Sequence, residues 1–349
     1  YLAVSLTTPG EVLDGIGAVP VLRWDQQADY VTGKAQGTTP IRFGGFMHDV
    51  EMWDPQMFRF SQSEAINTEP SQRLLLSSAY TAFQNDVESL AALKGTLRNV
   101  VVGICHSEYA AMLRTVKSAL TPYTSLQGAL SVACGRISYM FGFNGACLSV
   151  DTACSSSLVG THVATTLLRC GQGSSSLVGG INLTLTAFTY AIFQVSGMLA
   201  ADGRCKTLDQ TGDGYVRAEA AGAFQLRHES DSAGALPLLL LCGSAVNQDG
   251  QSSSLTAPNG PAQQGAIRTA LEVSQLHVSQ YEQLEMHGTG TALGDPIEVG
   301  AASSVLLSTP ARDALTLWAA KVPHGHAEAS AGLIGVLHVI AGITHAYNW

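Results

Sequence analysis

Charge is scarce in this chain: Asp, Glu, Lys and Arg make up only 13% of its 349 residues. What charge there is leans acidic, at a formal −9, so the surface as a whole lacks the positive field that nucleic-acid binding needs. Cysteine pairs at CxxC spacing are absent, which argues against a zinc ribbon. No apolar run reaches the roughly 18 residues that cross a bilayer. The start, Tyr1-Leu2-Ala3-Val4, has neither an initiator Met nor a basic segment. No signal peptide is legible there, and the chain reads as cut from something longer.

What is present is apolar surface and glycine. Hydrophobic residues are 46% and glycines number 36, enough for one large or two smaller packed domains. The seven cysteines are scattered and odd in number. They point to a reducing compartment, with the cytoplasm as the expected location and an organelle as the alternative.

Periodicity along the chain alternates between strand and helix. Residues 1–45 are punctuated by Gly and Pro and read as irregular, with Trp24 and Phe46 as anchors. Helical spacing begins at Pro70 and runs past Phe83. Val100–Cys105, Ala146–Val150, Ser176–Leu183, Leu236–Val246, Tyr281–Met286 and Leu315–Ala320 read as strands. Helices are expected around Tyr109–Val116, Gly128–Met140, Leu158–Leu168, Pro261–Val273 and Glu328–His345. Strands that alternate with helices imply a layered α/β fold. Two units are built alike. In one, a strand leads to Cys154 and a small-residue helix; in the other, a strand leads to Lys321 and His326 and another such helix. They suggest two pseudo-twofold halves that meet at a shared site.

Cys154 sits in Asp151-Thr152-Ala153-Cys154-Ser155-Ser156-Ser157-Leu158, where a strand turns into a helix. Small neighbours admit a substrate, and a helix N-terminus favours a thiolate with a lowered pKa. The competing reading is a buried structural cysteine. Two histidines also lie at strand ends, His287 in His287-Gly288-Thr289-Gly290-Thr291 and His326 in Lys321-Val322-Pro323-His324-Gly325-His326. Sites in parallel α/β sheets gather at such ends. A cysteine with two imidazoles suits nucleophilic acyl transfer. Lys321 and Glu328 flank His326 and can set its charge and orientation. A rival is a metal site from His287, His324, His326 and Glu328, since His-x-His is a usable ligand pair; satisfied core histidines are a third reading. The Gly-Thr-rich loop matches no nucleotide-binding spacing, but the hydroxyls of Thr289 and Thr291 can bond an amide-containing ligand.

Together these stretches resemble the ketosynthase (β-ketoacyl synthase) domain of type I polyketide synthases and animal-type fatty acid synthases. The nucleophile motif, Glu285–Thr291 with Gly294–Glu298, and Lys321 with Gly325–Gly332 carry the likeness, in family order. Gln72–Leu76, Gly135–Tyr139, Asp202–Lys206 and Asp213–Arg217 extend it over about residues 20–345. The resemblance implies a thiolase-like fold, five-layered α-β-α-β-α. One domain would fill residues 1–349, with halves near 1–225 and 226–349, in a homodimer.

It further implies decarboxylative Claisen condensation. Cys154 would carry the acyl chain, and His287 and His326 would bind the thioester carbonyl and promote loss of CO2 from a malonyl-type extender. Lys321 and Glu328 would support His326, and Thr289 and Thr291 would touch the phosphopantetheine arm of an acyl carrier protein. No cofactor or metal of the chain's own is implied. The implied partners are the carrier protein and neighbouring acyltransferase and other synthase domains, with no nucleic acid and no membrane span. The family's first strand and its C-terminal Gly-Phe-Gly-Gly-Thr-Asn-type loop have no counterpart here, so a fragment incomplete at both ends is expected. Pro323 replaces a usual Asn, Ala218 and Ala220 replace glycines, and Thr68-Glu69-Pro70-Ser71 replaces Met-Asp-Pro-Gln. These departures leave open a catalytically impaired dimerisation scaffold, or a thioesterase-like or starter-selecting domain.

Overall fold

The computed structural model describes residues 14–24, 41–84, 90–115, 122–228, 239–308 and 314–345. The strands are β1 (Ile16–Ala18), β2 (Phe43–Gly45), β3 (Arg98–Gly103), β4 (Cys147–Val150), β5 (Ser175–Asn182), β6 (Ala220–Arg227), β7 (Gln283–Glu285) and β8 (Thr316–Trp318). The helices are α1 (Gln62–Asn67), α2 (Pro70–Gln84), α3 (Tyr109–Thr115), α4 (Thr124–Gln127), α5 (Leu130–Phe141), α6 (Ser156–Arg169), α7 (Ala187–Val195), α8 (Gly260–Ser274), α9 (Gly294–Leu306), α10 (Lys321–His324) and α11 (Ala331–His345).

The larger sheet has the order β4-β3-β5-β6. Its first three strands are parallel, and β6 runs antiparallel to β5. Every residue of β5 is buried, as expected of a strand covered on both faces. One face meets α2 and α5, and the other meets α6 and, beside it, α11, which packs against α6, β5 and β6. Leu75, Leu76, Phe83, Phe141 and Phe143 form the core under α2 and α5, with Val100, Val102 and Leu177 from the sheet. β7 and β8 form a second, parallel pair. Helix α11 touches this pair too: a Cβ at Gly342 would lie 2.4 Å from the Trp318 ring.

The elbow that presents Cys154 depends on close backbone approach. A Cβ on Gly103 would lie 2.5 Å from the Ser157 amide nitrogen. Glycine at the end of β3 therefore lets the first turn of α6 press on the sheet. Gly103→Ala is expected to cost about 1–3 kcal/mol, since backbone must shift to admit the methyl. A lowered urea midpoint with unchanged slope would report that loss.

The alternating reading holds for β3, β4, β5, β7 and β8, and for α2, α3, α5, α6, α8 and α11. Three expectations need correction. Residues 1–45 are not wholly irregular: β1 pairs antiparallel with β2, while residues 1–13 and 25–40 lie outside the described residues. Of the strand expected over Leu236–Val246, residues 236–238 lie outside the described residues and residues 239–246 form no strand, with Leu239, Leu240 and Leu241 exposed; apolar composition marked them, but no strand pairs with them among the described residues. The helix expected from Glu328 begins instead as a 3-10 turn over Glu328–Ser330 before α11. Helix α7 and strand β6 carry no clear periodic signal and are found only in the structure.

Candidate active site

Strand β4 ends at Val150, and Asp151 to Ser155 make the turn into α6. Ala153 takes φ 52°, a left-handed conformation that a residue with Cβ adopts at a cost of roughly 1 kcal/mol. Ser156 stabilises the turn by accepting from Thr152 N–H at 2.9 Å and donating to the Ala153 carbonyl at 2.6 Å. Cys154 is thereby held half-buried just ahead of the helix.

Its pKa moves opposite to the expected direction. Burial is the larger cause, and the Glu328 charge adds to it; the Lys321 ammonium pulls the other way without prevailing. The thiol is raised above its ordinary value, because desolvation disfavours a thiolate more than one buried cation favours it.

His326 is completely buried. Its Nδ1 accepts the Glu328 backbone N–H at 3.1 Å. A neutral imidazole that accepts at Nδ1 must carry its proton on Nε2. That Nε2 has no hydrogen-bond partner among the described residues. Burial drives the His326 pKa well down, with Lys321, His287 and Arg217 adding to the effect. His287 stands edge-on to His326, ring centroids 5.6 Å apart. His287 is an exposed residue, yet desolvation of its ring, then Lys321, lower its pKa to about 4. Both rings are therefore neutral near pH 7. Lys321 is buried on α10 and acts electrostatically on Cys154, His287 and His326 alike.

Glu328 supports His326 through its backbone. Its carboxylate is committed to Arg217, whose Nη2 lies 3.1 Å from Oε2. Arg217 also brackets His326 along the chain: His326 N–H donates to the Val216 carbonyl, and Ala218 N–H to the His326 carbonyl. The loop after β7 is fixed by two carboxylates from the Gly294–Glu298 stretch. Glu298 accepts from His287 and Gly288 N–H, and Asp295 from Leu208 and Gly290 N–H. Thr289 is buried, its Oγ1 3.4 Å from that of Thr291. Thr291 Oγ1 accepts the Gly294 N–H at 3.1 Å.

A metal reading finds little in this geometry. No three His, Cys, Asp or Glu side chains gather as a ligand set among the described residues. His324 faces His338 instead, while His326 Nδ1 and the Glu328 carboxylate already have partners. The sequence departures have local accommodations. Pro323 lies within the first turn of α10, where a missing N–H costs no intrahelical bond. The Ala218 methyl fits because its neighbours are Gly45 and Gly325, whose Cβ atoms would come within 2.8 and 3.0 Å of it.

Residues 11–232 match the family description "Beta-ketoacyl synthase, N-terminal domain", and residues 239–348 match its C-terminal domain. The chain belongs to the beta-ketoacyl synthase family. Its relatives are consistent with that membership. Polyketide synthase GfsB of Streptomyces halstedii is 41% identical over 341 residues, which are 95% of this chain and 6% of that protein. Erythronolide synthase EryA2 of Saccharopolyspora erythraea is 40% identical over 314 residues, 88% of this chain and 9% of the relative. Among solved structures, the ketosynthase from module 6 of the bacillaene synthase of Bacillus subtilis 168 superposes with a TM-score of 0.86 at 33% identity. That match covers 95% of this chain and 56% of the other. The thiolase-like α/β fold of ketosynthases is thus the fold of this beta-ketoacyl synthase. It spans a small fraction of its curated relatives, which are long multidomain proteins. No helix among its described residues is long and apolar enough to cross a membrane.

Proposed function

We propose that this beta-ketoacyl synthase is the condensing unit of a polyketide synthase. Cys154 takes an acyl group from the phosphopantetheine arm of an acyl carrier protein, releasing the arm's thiol. A malonyl-type thioester on a second carrier then binds with its carbonyl against His287 and His326. Loss of CO2 leaves an enolate, which the two neutral imidazoles stabilise by hydrogen bonding. The enolate carbon attacks the Cys154 thioester, the Cys154–acyl bond breaks, and a β-ketoacyl carrier leaves. Thr289 and Thr291 hydrogen-bond the pantetheine arm, and Lys321 and Glu328 fix the electrostatics and orientation of His326.

The observation that carries this reading is the buried, unpartnered Nε2–H of a neutral His326 beside His287. Such a donor is desolvated in advance and waits for an oxygen that gains charge. Within the same reading the fold is the five-layered α-β-α-β-α arrangement. Its halves lie near 1–225 and 226–349, with α6 and α11 as the paired inner helices, and it works as a homodimer.

The test supplies an acyl-loaded carrier and a malonyl-loaded carrier and measures CO2 and β-ketoacyl product together. Stoichiometric formation of both supports condensation. Acylation of Cys154 without either product would overturn it. Because the Cys154 pKa is raised above the ordinary 9.0, the acylation rate is expected to keep climbing as pH passes 9. A plateau reached near neutrality would show a preformed thiolate instead.

A further inference from the structure

The proposed condensation assigns no task to a carboxylate at the end of β7. Glu285 is the last residue of that strand, and its side chain is only 13% exposed. Its Oε1 accepts the Ala320 N–H at 2.7 Å. Its Oε2 lies 2.7 Å from Nδ1 of His338 on α11. A carboxylate only accepts, so Nδ1 carries the proton of that bond. Ala320 directly precedes Lys321 and is the N-cap of α10. We propose that Glu285 and His338 are positioning residues, a pair that fixes the start of α10 and with it the place of Lys321 beside His287 and His326. The inference rests on the condensing reading above.

The packing around the pair holds it to that task. Glu285 is in register with Trp318 of β8, and Met286 N–H donates to the Trp318 carbonyl at 2.8 Å. The Glu285 side chain therefore reaches two residues past its strand partner to meet Ala320. A Cβ on Gly335 would lie 3.3 Å from Glu285 Cγ, so α11 comes close to the carboxylate through a glycine. The His338 ring lies 5.5 Å from that of Trp318 and 6.4 Å from that of His324, centroid to centroid. Trp318 ends β8 and His324 ends α10. His338 thus meets the chain on both sides of Lys321, while Glu285 holds the residue next to it.

The carboxylate also bears on the charge of Lys321. Burial lowers the pKa of this lysine; Glu285 on β7 and then Glu298 on α9 push it back up, and Cys205 and Cys154 add to them. Lys321 in turn lowers the pKa of His287 and of His326. Without the Glu285 charge the ammonium would be lost at a lower pH. An enolate that forms against the two imidazoles would then lose a nearby positive charge.

The test follows CO2 release from a malonyl pantetheine thioester by the full chain as pH is varied. Glu285→Gln keeps an oxygen for the Ala320 N–H and removes the charge. Its alkaline limb is expected to move to lower pH, with kcat down by about tenfold and KM within about twofold of the native value. Glu285→Ala also frees the Ala320 N–H, so hydrogen exchange in the peptide that spans Ala320 to His324 should quicken. His338→Leu should lower kcat as well, and His338→Asn, which keeps an N–H near the place of Nδ1, should recover most of it. An alkaline limb unmoved in Glu285→Gln would overturn the proposal, as would His338→Asn no more active than His338→Leu. A native protein that releases no CO2 would count against the condensing reading instead. Exchange at Ala320 still decides the clamp in that case: a rate unchanged in Glu285→Ala would overturn it.

Discussion

Cys154→Ala is expected to abolish covalent acylation and to lower condensation by on the order of 10³-fold or more. Intact-mass spectrometry after exposure to an acyl pantetheine thioester reads the first, and the coupled CO2 and product assay reads the second. The size of the effect follows from the site's construction. The thiol stands where the strained turn at Ala153 delivers it, and Lys321 ties its electrostatics to both imidazoles. Its nearest rival is Cys105, whose Sγ lies 3.5 Å from the Ala153 carbonyl. Cys105 is not expected to take over: its Sγ is engaged by the Ala153 carbonyl and Ser156 Oγ, and burial pushes its thiol up to about 12. An adduct on native protein that vanishes in the variant supports the nucleophile. A folded native protein that takes no acyl group supports the scaffold reading.

The parts of this fold legible in sequence are those with strong local signals. β3 announces itself as a short apolar run that ends in Gly103, β5 as one that passes through Gly179-Gly180, and Pro70 marks the start of α2 at its first position. The cysteine and both histidines are legible because strand ends and small residues surround them. What is not legible depends on contacts distant in sequence. Nothing local tells that Glu298 clamps the His287 loop, or that Asp295 ties that loop to Leu208. The Cys154 pKa misleads for the same reason. The helix N-terminus is a local feature, whereas burial and Glu328 come from packing. Residues 239–246 show the converse case: an apolar run predicts burial, but a strand also needs a neighbour to pair with.

Arg217 is where the largest structural loss is expected. Its side chain is 0% exposed and its Glu328 partner 6%. The guanidinium also stacks over Tyr190 and Phe193, 4.6 and 5.1 Å from their centroids, and lies 3.9 Å from Glu108. Arg217→Met keeps much of the apolar packing but leaves the Glu328 carboxylate buried without its partner. Breaking a buried pair from one side costs about 3–5 kcal/mol, a large share of a typical domain's total stability of about 5–15 kcal/mol. The orphaned charge is the reason, so Arg217→Met with Glu328→Gln should recover a good part of the loss in urea unfolding. Purely additive losses in that cycle would mean that the two side chains are not coupled. Arg217→Lys keeps the charge but not the fork geometry, and should stay folded with an intermediate loss. In that variant activity should fall further than stability does. Glu328 would then be held by a single point contact, and its N–H, which fixes the Nε2–H tautomer of His326, would no longer be held in register with the ring.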